Sequence, residues 1–184
     1  MNPDTRETIL SVARETAQAH GYGGLSFREL ARQVGIRSAS LHYHFPTKAD
    51  LGAALARRYA EEAKATLDGF WNEAPNTVLA LRKYTGVFRR ALEDGNRMCM
   101  CGFMAAESDD LPRAVRAEVR AFADVNVAWL AKVLSAAAVP VPEQRALAIF
   151  AAVGGAQLAA RSRGDVAVYD RIIDGYRASG LIPD

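Results

Sequence analysis

Apolar residues recur along this chain at spacings of three and four, and nowhere do they hold the two-residue alternation of a half-buried strand. Ile9, Val12, Ala13 and Ala17 make the first stripe, which Gly21 and Gly23-Gly24 end. Asn2 is placed to cap that helix, Pro3 suits its first turn, and Asp4 and Glu7 complement its dipole. Ser26-Phe27-Arg28-Glu29 reads as a capping box in which the glutamate reaches back to the serine. It starts a short helix, Phe27 to about Val34, with Phe27, Leu30, Ala31 and Val34 inward. Gly35 permits a sharp turn and Ile36 plugs the core beneath it. A helix from Ser38 to His44 follows, stopped by Phe45-Pro46, and Thr47 caps the next.

From Lys48 the helices lengthen. Leu51, Leu55, Tyr59, Ala63, Leu67 and Phe70 carry one to Trp71, before Pro75-Asn76 breaks the run. Val78, Leu81, Thr85, Phe88 and Leu92 mark another, which Gly95 ends. After a less regular stretch from about Met98 to Ser108, Pro112 opens a long helix with Val115, Val119, Phe122, Val125, Trp129 and Val133 inward. Pro140 and Pro142 precede a helix of about residues 143–162, and a last helix bears Val168, Tyr169, Ile172, Ile173 and Tyr176. The expectation is an all-α protein of about nine helices, divided into residues 1–48 and 49–184.

Composition refines this modestly. The 184 residues are 50% hydrophobic and 24% charged, ordinary for a globular protein. The net charge of +2 lies wholly in residues 1–48, which hold six basic and four acidic side chains. So small an excess is a weak pointer to nucleic acid. No segment is long and apolar enough to span a membrane, and the start lacks the order of a signal peptide. Cys99 and Cys101, one residue apart, would close almost no loop as a disulfide. Reduced thiols in a cytoplasmic protein are expected.

Ser26 to Lys48 has the order helix, glycine turn, helix. Its second helix is too short and polar for an ordinary core helix. Leu41 faces inward, while Arg37, Ser38, Ser40, His42, Tyr43 and His44 occupy or flank the other faces. Small donors, an aromatic and imidazoles suit the major groove and its phosphates. Thr47 and Lys48 add a helix N-terminus and a cation. His42 and His44 point about 200° apart on a helix, so they cannot chelate one ion, and no metal or cofactor is expected.

Ser26-Phe27-Arg28-Glu29-Leu30-Ala31, Val34-Gly35-Ile36, Leu41, His44-Phe45 and Lys48 with Leu51 together resemble the DNA-binding head of the TetR/AcrR family of bacterial regulators. The likeness covers about residues 8–55. It implies a homodimer on a palindromic double-stranded DNA operator, usually a repressor released by a small effector. By position, Arg28, Ser38, Ser40, Tyr43, His44 and Lys48 match DNA-contacting sites of the family. His42 is a departure, standing where the family usually has tyrosine.

Cys99-Met100-Cys101-Gly102-Phe103-Met104 reads either as a soft apolar wall or, with Arg97 nearby, as a pair of sensor thiols. Trp71, Tyr84, Phe88, Cys99, Phe103, Phe122 and Trp129 are candidates for an effector site, although each alone is more often core. Phe70 belongs with the same aromatic set. Ala151, Gly154, Gly155 and Leu158, facing larger Tyr169, Ile172, Ile173 and Tyr176, are the candidate dimer surface, with packing inside one chain as the alternative. The expected function is a ligand- or redox-responsive DNA-binding regulator. A small-molecule-binding or redox-active helical enzyme is the alternative, but the chain shows no nucleophile–base pair or phosphate loop.

Overall fold

A computed structural model describes residues 3–184, with side chains from Thr5 onward. Asn2 as a cap, and the side chains of Pro3 and Asp4, lie outside the described residues. Among those described there are nine helices and no strand. They are α1 (Pro3–His20), α2 (Phe27–Val34), α3 (Ser38–His44), α4 (Lys48–Glu73), α5 (Thr77–Glu93), α6 (Met100–Ala106), α7 (Arg113–Ala136), α8 (Pro142–Arg163) and α9 (Val166–Ala178).

The chain packs as two compact units: Met1–Ala60 with Met100–Phe122, and Glu61–Cys99 with Ala123–Asp184. Helices α4 and α7 contribute residues to both. This division follows packing, and differs from the functional division expected at residue 48.

In the first unit Ile9, Leu10 and Ala13 of α1, Leu30 of α2, Leu41 of α3 and Phe45 beyond it are buried together with Leu51 and Leu55. The turn after α2 closes as expected. Gly35 takes the left-handed conformation at φ 77°, and the Ile36 N–H donates to the Ala31 carbonyl. Ile36 itself is only half-buried. The start of α2 departs from expectation. The Ser26 hydroxyl accepts the Glu29 N–H at 3.5 Å, but Glu29 points forward, to Arg32 at 2.6 Å and Gln33 at 3.0 Å. A guanidinium one turn along outcompetes a single backbone N–H for the carboxylate. The reciprocal box stands instead at α4: Asp50 accepts from the Thr47 N–H at 3.0 Å, and the Asp50 N–H donates to the Thr47 hydroxyl at 3.1 Å.

In the second unit α5, α8 and α9 pack on one another. Leu81, Ile149, Val153 and Ile173 are buried between them. The Tyr169 hydroxyl donates to the Thr85 carbonyl at 2.8 Å, and Arg89 grips Asp170 with two nitrogens at 2.8 and 3.0 Å. Pro142 occupies the first turn of α8, after Val141 at φ 47°, a conformation unusual for a β-branched residue.

Candidate nucleic-acid interface

Helix α3 has seven residues, of which Leu41 alone is buried. Leu41, fully enclosed, and Phe45, 2% exposed, pin the helix at its middle and its end. Burying a leucine side chain contributes about 1.5–3 kcal/mol, enough to hold so short an element where propensity alone cannot. The remaining faces are left open. Ser38, Ser40 and His42 are exposed, Tyr43 is 68% exposed, and His44 is half-buried with its ring edge-on to Tyr43. Arg37 precedes the helix and Arg28 lies on α2, both exposed. Arg37, Ser40, Tyr43 and His44 share an open groove of about 510 Å³ with Thr5, Ile36 and Ala39. Its lining includes the small donors Thr5 and Ser40 and the aromatic Tyr43.

Two residues of the expected set are engaged inside the unit. The His42 ring tilts against Phe27 with centroids 4.7 Å apart, and its Nδ1 lies 3.3 Å from the Pro46 carbonyl. The Lys48 ammonium sits 4.6 Å from the centre of the Tyr22 ring and donates to the Gly23 carbonyl at 3.2 Å. Partial burial lowers the Lys48 pKa, with Glu107 opposing that shift. Glu107 is the residue that sequence reasoning missed. Its carboxylate accepts the Tyr22 N–H at 2.6 Å and the Gly23 N–H at 3.0 Å. It thereby fixes the turn between α1 and α2 from just beyond α6. Nothing local sets it apart from Asp109 and Asp110, the acids that follow it.

The other candidates separate by unit. Tyr84, Phe88, Cys99 and Trp129 belong to the second unit, where Tyr84 stacks on Trp129 with centroids 5.6 Å apart and meets Phe88 at 5.3 Å. Trp71 is half-buried, with the Lys132 ammonium 4.0 Å from its ring centre. Phe103 and Phe122 belong to the first unit, where Phe122 packs on Tyr59. Cys99 and Cys101 are 7% and 1% exposed, which removes the partial exposure a sensor thiol requires.

On α8, Ala151 and Gly155 are exposed, Gly154 is half-exposed and Leu158 is 57% exposed. Leu147 joins them at 58%, also missed from sequence. Ile172 and Tyr176 are half-buried. Tyr169 and Ile173 require correction. At 1% and 3% exposure they are core residues of their own unit, because α9 turns its larger side chains onto α5 and α8.

The profile of the bacterial regulatory proteins of the tetR family matches residues 9–55, the span that holds every lining residue of this groove except Thr5. A TetR-family transcriptional regulator from Agrobacterium tumefaciens superposes with a TM-score of 0.88 at 33% identity, over 93% of this chain and 95% of that one. A TetR transcriptional regulator from Legionella pneumophila gives a TM-score of 0.87 at 26% identity, over 97% of each chain. The nucleoid occlusion factor SlmA of Vibrio cholerae is 30% identical over 78 residues, which is 42% of this chain and 40% of that protein. An exposed donor face on a minimal helix, a matching head and a whole-chain likeness agree, and the chain belongs to the TetR family of bacterial transcriptional regulators.

Proposed function

We propose that this chain is a repressor that binds a palindromic operator as a homodimer and leaves it when a small effector binds. Residues 1–48 read the DNA, and residues 49–184 hold the effector site and the dimer surface. It acts in the cytoplasm and carries out no catalysis. The observation that carries this reading is the open, donor-rich face of α3, held on one buried leucine. Ser38, Ser40 and Tyr43 meet base edges and flanking phosphates, while Arg28, Arg37 and His44 add backbone contacts. His42 supports the face through Phe27, and its imidazole takes a phosphate at most. Lys48 neutralises a phosphate beside the N-terminus of α4.

The exposed strip of Leu147, Ala151, Gly154, Gly155 and Leu158 supports a helix-to-helix dimer contact, with Ile172 and Tyr176 at its margin. The dimer sets the two heads at half-sites about 34–36 Å apart, or a multiple of that. Effector binding shifts the population between compatible and incompatible head spacings. The effector acts without covalent chemistry, since both thiols are enclosed. Maleimide labelling of Cys99 and Cys101 is therefore expected to be slow in the native protein and fast in denaturant. Rapid native labelling that releases DNA would reinstate the thiols as sensors.

The test is anisotropy of the purified protein on duplex DNA from upstream of its own gene, across several salt concentrations. Affinity that falls steeply with salt and exceeds that for unrelated duplex supports the reading. Equal affinity for both sequences overturns it.

A further inference from the structure

Among the described residues four buried side-chain nitrogen or oxygen atoms lack a hydrogen-bond partner, and two of them, the Tyr84 hydroxyl and the Trp129 indole Nε1, sit on stacked rings in the second unit. Tyr84 is 1% exposed and Trp129 5%. The same cluster satisfies its other polar groups with care. Gln157, fully enclosed, accepts the Cys99 N–H at 2.9 Å and donates to the Phe88 carbonyl at 2.9 Å. Leaving a buried donor unpaired costs more than an ordinary hydrogen bond contributes, so two together need a reason. Burial raises the Tyr84 pKa well above its usual value, so the hydroxyl keeps its proton. The indole N–H can only donate.

We propose, resting on the ligand-responsive reading above, that Tyr84 and Trp129 are the recognition pair for a small, flat, uncharged effector bearing a hydrogen-bond acceptor such as a carbonyl oxygen. The rings of Tyr84, Phe88 and Trp129 supply flat apolar area, and the two open donors supply direction. An anion is disfavoured at the rings, because Tyr84, Phe88, Trp129, Cys99 and Gln157 include no cationic side chain, and the neighbouring Arg177 guanidinium already bonds Asp174 at 2.9 Å and Thr85 at 3.3 Å. A cation would offer nothing for the two donors to bond. The acceptor therefore sits on a neutral molecule and bonds the Tyr84 hydroxyl and the Trp129 Nε1.

The test is isothermal calorimetry on the full chain with three probes of similar size: acetophenone, ethylbenzene and benzoate. Acetophenone is expected to bind at least about tenfold more tightly than ethylbenzene, and benzoate more weakly than either. Tyr84→Phe should weaken acetophenone about five- to tenfold and leave ethylbenzene unchanged. The same variant should melt about 2–4 °C higher than wild type without ligand, since it removes an unpaired buried hydroxyl. A structural role for the hydroxyl predicts the opposite shift. Equal affinity for acetophenone and ethylbenzene, tightest binding of benzoate, or binding of none overturns the proposal. No DNA is present, so this result stands apart from operator binding, whose failure would overturn the regulator reading alone.

Discussion

Helices α3 and α8 both present a face that their own unit's core does not use, and the two faces differ in kind. Helix α3 buries Leu41 and shows donors and an aromatic. Helix α8 buries Ala146, Ile149, Val153 and Ala156 on one side and leaves Leu147 and Leu158 more than half exposed on another. A polar exposed face is at ease in water, so burial alone says nothing about its role. Only the order of residues around it, turn and cap included, separates it from a solvated surface. An apolar exposed face is uncomfortable in water and asks for a partner by its exposure alone. Sequence pattern is the better guide to the first, and the folded structure to the second.

The largest expected effect comes from disturbing α8. A Cβ added at Gly155 meets nothing within 4 Å, so the subunit has room for Gly155→Leu while a closely packed partner helix does not. Dimer affinity should fall by at least about 100-fold, read by sedimentation, with operator binding falling alongside. A wild-type dimer in that variant would leave the exposed strip without its partner. Tyr43→Ala should come next. It should cost about 1–2 kcal/mol of operator affinity with no change in melting temperature, because a side chain 68% exposed contributes little to folding. Unaltered affinity would reduce the α3 face to a solvated surface.

Lys48→Ala should act more on slope than on affinity at a single salt concentration. One fewer neutralised phosphate lowers the slope of log affinity against log salt by about 0.9. An unchanged slope would confine Lys48 to its contacts with Tyr22 and Gly23. The smallest effect concerns acid. Hydrogen bonds from Arg32, then from Gln33, hold Glu29 at about 2 against an ordinary 4.5. The folded state thus binds fewer protons, and this bracing of α2 is complete above about pH 4.5 and lost as pH falls towards 2. Thermal unfolding of Glu29→Gln should show a weaker dependence on pH across that window than wild type.

Local grammar was legible and distant partnership was not. The glycine turn, the seven-residue reading helix and the burial of Leu41 and Phe45 follow from spacing within a few residues. The direction of Glu29 did not, because a cap and an i,i+3 arginine compete for one carboxylate and their balance depends on geometry. Glu107 was invisible because its partners lie 85 and 84 residues away. Gln157 stands in an alanine-rich helix with no neighbouring signal of its partners, yet it is enclosed and bonded at both ends. Tyr169 and Ile173 read equally as dimer surface or as packing within one chain, because apolar periodicity marks a buried face without saying whose core buries it, and the fold takes the second course.

The carboxylate of Glu107 also bears on modularity. A reading head that ends near residue 48 looks like a cassette, ready to be cut out and grafted onto another sensor. Yet the Tyr22 and Gly23 amides at its first turn are held by a side chain supplied from residue 107. A Cβ at Gly21, whose φ is 70°, would push that carboxylate aside. A transplanted fragment would carry the lock without its bolt. Chimeras built at the obvious boundary should be looser at that turn than those that also carry residues 100–122, and the natural joint for swapping specificity is discontinuous in the chain.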